Sequence, residues 1–136
     1  MNNINNATSK IRIFDGFWSV DDVRKNPNFL FVYGDNNVKS GKRGQAIIRD
    51  ELNSIGIPTK KYPSNHSNSF YTDFEYTDNV KRINDAIELI IKKSTLYQYI
   101  ILPKDGFGIG LAQLSIKAPK TYKYLNESIK ILCRKI

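Results

Sequence analysis

Two glycine-rich segments carry the residues best suited to chemistry. The first is Gly34-Asp35-Asn36-Asn37 followed by Lys39 to Gly44 (KSGKRG), and it comes directly after an apolar run, Phe29 to Tyr33. The second, Lys104 to Gly110 (KDGFGIG), follows another such run, Tyr99 to Leu102. Glycines let backbone N–H groups approach phosphate oxygens, and a helix that opens just after the loop adds its positive end. The expected ligand-contacting residues are therefore Gly34, Asp35, Asn36, Arg43, Gly44, Gln45 and Ala46 in the first segment, then Lys60, and Lys104, Asp105, Gly106, Phe107, Gly108, Ile109 and Gly110 in the second. Neither segment has the Walker spacing or a true G-x-G-x-x-G, so a purely structural turn is the alternative for each.

Individual side chains sharpen this reading. Asp35 and Asn36 directly follow a strand, where they can read a base edge or ribose hydroxyls as acceptor and donor, or close the loop as an Asx turn. Lys42, Arg43 and Lys60 offer charge to phosphates or to solvent. Asp35 and Asp105 are the candidate catalytic carboxylates, Asp105 being better explained as a turn former than as a general base. His66 is the only histidine, which rules out a histidine-built metal site, and its neighbours Ser64 and Asp73 form a triad only if geometry brings them together. Tyr62, Phe70, Tyr71, Phe74 and Tyr76 can stack on a base or pin their loop to the core. No metal and no cofactor is expected.

The elements that must position these residues alternate between strand and helix. Ile11 to Phe14 reads as a short edge strand, and Ser19 caps a brief helix through Val23 that Pro27 ends. Phe29 to Tyr33 and Tyr99 to Leu102 read as strands buried on both faces. Ile55 to Thr59 is a shorter strand that Pro58 places at an edge or an end. A helix is expected from Gly44 or Gln45 to about Ser54, with Ala46, Ile47 and Leu52 apolar and Arg49, Asp50 and Glu51 solvated. Lys60 to Tyr76 is a long loop. Thr77 or Asp78 caps a helix with Val80, Ile83, Ile87, Ile90 and Ile91 on one face, and Pro119 opens a last helix with the stripe Leu125, Ile129 and Leu132. This order predicts a single α/β domain over residues 11–136, with a largely parallel sheet flanked by helices, after a flexible start at 1–10. In such sheets ligands sit beyond the carboxyl ends of the strands, where both glycine segments fall.

Composition agrees. In 136 residues with 40% hydrophobic content there is room for one core and not for two. The single cysteine, Cys133, cannot form an intrachain disulfide, the polar opening Met1 to Ser9 is not a signal peptide, and no run is apolar enough to span a bilayer. A cytoplasmic protein without membrane contact is expected. A net charge of +8 favours anionic partners, and Lys117, Lys120, Lys123, Lys130, Arg134 and Lys135 gather near the end. Nucleic acid is a possible partner, but no recognised nucleic-acid motif supports it. Oligomeric state stays open.

Four segments also resemble, as a set, a family of small proteins of bacteriophages and bacteria: Phe31 to Asn36 (FVYGDN), Gly41 to Arg49 (GKRGQAIIR), Ile55 to Lys61 (IGIPTKK) and Leu102 to Ala112 (LPKDGFGIGLA), closed by Ala118 to Thr121. The resemblance covers roughly Phe31 to Leu125. That family is distantly similar to macrodomains, which bind ADP-ribose and in some branches remove it from proteins or nucleic acid. The resemblance implies a macrodomain-like mixed, largely parallel sheet, Asp35 as the adenine-side acid, Gly44 to Ala46 as the first phosphate-side turn and Gly106 to Gly110 as the late phosphate loop. The ligand it implies is ADP-ribose or an NAD-derived or cyclic nucleotide, sequestered or degraded as a host immune signal if the protein is phage-encoded. The Asn-Ala-Ala-Asn strand end of macrodomains is absent, which favours binding over ADP-ribosyl hydrolysis.

Overall fold

The buried apolar runs form the middle of a four-stranded sheet. The computed structural model describes residues 9–136, so the expected flexible start lies almost wholly outside the described residues; Lys10, its last residue, donates from its backbone to the Ile136 carbonyl and from Nζ to that of Ser94. The strands are β1 (Ile11–Phe14), β2 (Phe29–Asn36), β3 (Ser54–Lys60) and β4 (Tyr99–Pro103), ordered β1-β4-β2-β3. Every strand pairing is parallel, with an irregularity between Asp35 and Asn36. The only antiparallel contact among the described residues is an isolated bridge between Lys60 and Phe70, so the sheet is more uniformly parallel than the expected mixed one. Edge positions fall to β1 and to β3, where Pro58 removes no hydrogen bond the ladder needs.

The helices are α1 (Val20–Arg24), α2 (Tyr76–Ser94), α3 (Leu114–Lys117) and α4 (Pro119–Lys135). Alternation along β2 sends Leu30 and Val32 to a core shared with Ile83 and Ile90 of α2 and Leu125 and Leu132 of α4. Phe31 and Tyr33 face the other way, into a smaller core with Trp18, Val23, Ala46 and Ile48. Both faces of the sheet are thus covered, as a parallel sheet requires. No helix among the described residues is long and apolar enough to cross a membrane.

Two local expectations are corrected. The segment after the first glycine loop is not a helix to Ser54 but a 3-10 helix, Gly44–Ile48, followed by turns. The tighter period buries Ala46 and Ile48, leaves Ile47 half-exposed and leaves Leu52 in solvent. Its turns are fastened by buried Asn53, whose Nδ2 lies 3.0 Å from the carbonyl oxygens of Val23, Asn26 and Phe29. At the other end of the chain, α2 starts at Tyr76, behind a 3-10 turn, Asp73–Glu75, rather than at a Thr77 or Asp78 cap.

Candidate functional site

Because all four strands run the same way, the segments that leave their carboxyl ends meet on one rim of the sheet. A cavity of about 300 Å³ lies there, at the small end of the range for ligand pockets. Both glycine segments line it, together with Gly16, Phe17 and Trp18 after β1 and Thr59 and Lys60 at the end of β3.

One side chain ties the two glycine segments together. Gln45 Oε1 accepts the Gly34 N–H at 2.7 Å, and Gln45 Nε2 donates to the Gly106 carbonyl at 2.9 Å. The Gln45 backbone is held in turn by Trp18 Nε1, which donates to its carbonyl at 3.1 Å. The loops also touch where Leu111 packs over Gly44, whose φ of +59° favours a glycine. Gly108 is required more strictly: it sits at φ +79°, and a Cβ there would lie 2.7 Å from the buried Leu114 side chain.

The acidic end of the first segment is committed to the protein. Asp35 Oδ1 accepts from Arg49 Nη2 at 2.6 Å, with side chains only 6% and 12% exposed, and from the Asn36 N–H at 2.7 Å. Gly56 makes room for this carboxylate, since a Cβ there would come within 2.7 Å of it. Arg49 further donates to the carbonyls of Gly41 at 2.7 Å and Ser40 at 3.2 Å, fastening the loop to the strand end. Burial works against the charge on Arg49, but the Asp35 carboxylate outweighs it and raises the guanidinium's pKa. Asn36 closes the turn, donating to the Ser40 carbonyl at 2.7 Å and accepting its N–H. The Asn36 side chain is thus taken up by the turn, whereas Asp35 spends Oδ1 on internal contacts and keeps Oδ2 without a partner among the described residues at the cavity wall. Arg49, expected in solvent, is instead the centre of this cluster, and Glu51 is likewise covered, paired with Arg24 at 2.8 Å.

Positive groups without partners gather around the same cavity. Lys60 is 6% exposed and, among the described residues, has no carboxylate and no hydrogen-bond acceptor; its Nζ lies 4.8 Å over the Phe70 ring. Burial first, and the nearby Arg43 charge second, lower its pKa. The Arg43 guanidinium lines the cavity with no ion pair among the described residues. The amides from Phe107 to Ala112 also donate to no protein acceptor among the described residues. Lys104 lines the cavity but pairs with Asp15 at 3.1 Å, and Asp105 sits exposed on the rim.

Of the expected contact residues, only Phe107 lies off the cavity wall: its ring is 3% exposed and belongs to the α2–α4 core, where it anchors the glycine loop from beneath. The residues that sequence reasoning missed include Phe17, Trp18, Arg49 and Thr59. The aromatic candidates lie elsewhere. Phe70 and Tyr71 are buried, Tyr71 donating to Asn37 Oδ1 at 2.5 Å, Tyr76 packs on Tyr124, and Phe74 projects into solvent. None of these, nor Tyr62, lines the cavity. The triad does not form. Ser64 Oγ pairs with Ser69 Oγ, and the exposed His66 ring has no hydrogen bond among the described residues. Asp73 instead receives the Lys120 and Thr121 amides at the start of α4, at 2.9 and 3.0 Å.

No curated protein and no solved structure matches the chain. Residues 13–128, which hold β2, β3, β4 and both glycine segments, match a family of unknown function (DUF7831), and the chain belongs to that family.

Proposed function

We propose that the protein binds a phosphate-bearing, nucleotide-type small molecule in the rim cavity, as ADP-ribose, an NAD-derived nucleotide or a cyclic nucleotide would present. The observation that carries this reading is the imbalance of charge around the cavity. The Lys60 stem is buried while its ammonium opens on the cavity with no counter-ion among the described residues, Arg43 adds a second free cation, and Gly108 to Ala112 line the cavity with amides that have no acceptor among the described residues. Two unpaired cations held side by side at a cavity wall repel one another, and an anion between them relieves that repulsion. Backbone N–H groups in a glycine-rich concavity suit phosphate oxygens by shape as well as by charge.

Binding without turnover is the form we favour, because the carboxylate at a strand end, Asp35, spends one oxygen on Arg49, whose charge beside it makes it a weaker base. Retention of a nucleotide signal follows from such a site, whether in a phage setting or a bacterial one. A nucleic-acid role for the last helix has less support: two of its approach lysines, Lys117 and Lys120, lie over the rings of Phe70 and Tyr76. Calorimetric titration with ADP-ribose, NAD and cyclic nucleotides tests the proposal. Heat with at least one of them, lost in the Arg43→Ala, Lys60→Met double variant, is expected; no heat with any of them at high concentration refutes it.

A further inference from the structure

We infer that the site holds its ligand lengthwise across the sheet, with a nucleobase stacked on Phe17 at the β1 edge and a diphosphate reaching Arg43 and Lys60 at the β3 edge. The inference rests on the phosphate reading above and adds to it the ligand's length, direction and ring platform.

The strand order separates the two ends. Phe17 follows β1 and Lys60 ends β3, and these are the two edges of the sheet. Three strand spacings of about 4.8 Å put the edges roughly 14 Å apart. A base on Phe17 joined to a single phosphate through one ribose stops short of Lys60, whereas a second phosphate extends the anion toward it. The uncommitted amides from Gly108 to Ala112 follow β4, next to β1 in the sheet, and so meet the inner phosphate first.

Phe17 is suited to the ring. It lines the cavity with its ring 93% exposed, whereas the equally exposed Phe74 lies away from it. Gly16, at φ +90°, swings the chain so that Phe17 points away from the core that takes its neighbour. That neighbour, Trp18, is fixed by edge contacts of 5.7 Å to both Phe14 and Phe31, and serves as wall and not as platform. Ile109 and Leu111, each about half exposed, add apolar surface to the same cavity. Asp35 Oδ1 is taken by Arg49 and the Asn36 N–H, and the Phe17 ring offers the base a stacking face, which tolerates any base.

Titration of the full chain with ADP, AMP and inorganic pyrophosphate tests this, using the wild type, Phe17→Ala and Phe17→Tyr. ADP is expected to bind more tightly than either AMP or pyrophosphate. Phe17→Ala is expected to weaken ADP about tenfold and leave pyrophosphate unchanged, with Phe17→Tyr restoring the wild-type affinity. Because Phe17 is almost wholly in solvent, its replacement leaves the fold intact. Pyrophosphate binding as tight as that of ADP, or ADP binding unchanged by Phe17→Ala, overturns the lengthwise arrangement while leaving the phosphate reading in place. Failure of both pyrophosphate and ADP to bind the wild type overturns the lengthwise arrangement, and the phosphate reading falls with it only if ADP-ribose, NAD and cyclic nucleotides also give no heat.

Discussion

The Gln45 side-chain amide donates to the Gly106 carbonyl at 2.9 Å, across 61 positions of sequence, while its oxygen takes the Gly34 N–H. One carboxamide thereby sets the distance between the two glycine segments. Gln45→Ala leaves both backbone groups without that partner and is expected to cost about 1–3 kcal/mol, since losing one side of a shielded hydrogen bond exposes the full desolvation penalty of the other. Gln45→Glu keeps the acceptor for Gly34 but sets a carboxylate against the Gly106 carbonyl, and it adds a negative charge to a cavity built for anions. Thermal melts and phosphate titration separate the two: Gln45→Ala lowers Tm and weakens binding, whereas Gln45→Glu abolishes binding. Wild-type affinity in Gln45→Glu contradicts this arrangement.

The Asp35–Arg49 pair is shielded on both sides, so breaking it from one side strands a charge. Arg49→Met is expected to cost about 3 kcal/mol and to loosen the Ser40–Gly41 turn that the guanidinium also holds. Replacing both partners, as Asp35→Asn with Arg49→Met, is expected to recover part of that loss. Denaturant melts of the two single variants and the double variant measure the coupling, and strictly additive losses rule it out.

How much of this was legible follows from whether the deciding contacts were local. The strands Phe29–Tyr33 and Tyr99–Leu102 are runs buried on both faces, so composition alone finds them. The two glycine segments were placed correctly on one rim because a parallel sheet sends every strand's carboxyl end the same way. Arg49 looked like one more surface cation, because a 3-10 helix in place of the expected α-helix turned it toward Asp35. Phe107 looked like part of a ligand loop, yet between glycines a single ring is what fixes such a loop to the core. Phe17 gave no signal, since exposure of an apolar ring is a property of the folded surface and not of its sequence neighbours. The burial of Lys60 was hidden for the same reason: it follows from the bridge to Phe70, formed across a loop with no periodicity.

Acid stability is expected to depend on Asp73. Its partial burial favours the neutral acid, but the Lys120 and Thr121 amides and the Thr121 hydroxyl outweigh that and hold its pKa below the ordinary value. A carboxylate with a lowered folded pKa stabilises the fold fully above its unfolded pKa, and the contribution disappears as pH falls through the folded one. Asp73→Asn removes the charged cap from the start of α4, with an expected cost of about 1–2 kcal/mol at neutral pH. The difference in unfolding free energy between wild type and Asp73→Asn should therefore shrink as pH falls below the ordinary aspartate range. A difference that stays constant down to the acid transition contradicts the capping role.

Lys60 sets stability against binding. Its stem is buried and its ammonium, beside the Arg43 charge, has no counter-ion among the described residues, so Lys60→Met, which keeps most of the side chain's volume and removes the charge, is expected to raise the stability of the ligand-free protein slightly. The pH dependence has a matching sign. A lysine whose folded pKa is lowered binds fewer protons in the native state than in the unfolded chain, so wild-type stability rises with pH between that lowered value and the ordinary 10.5. Lys60→Met lacks that rise. The same substitution weakens phosphate binding, because the stranded charge is what the anion completes. Differential scanning calorimetry without ligand, paired with titration of pyrophosphate, reads both effects. A Lys60→Met variant that is less stable than wild type and binds pyrophosphate equally well would make Lys60 a structural residue and not a binding one.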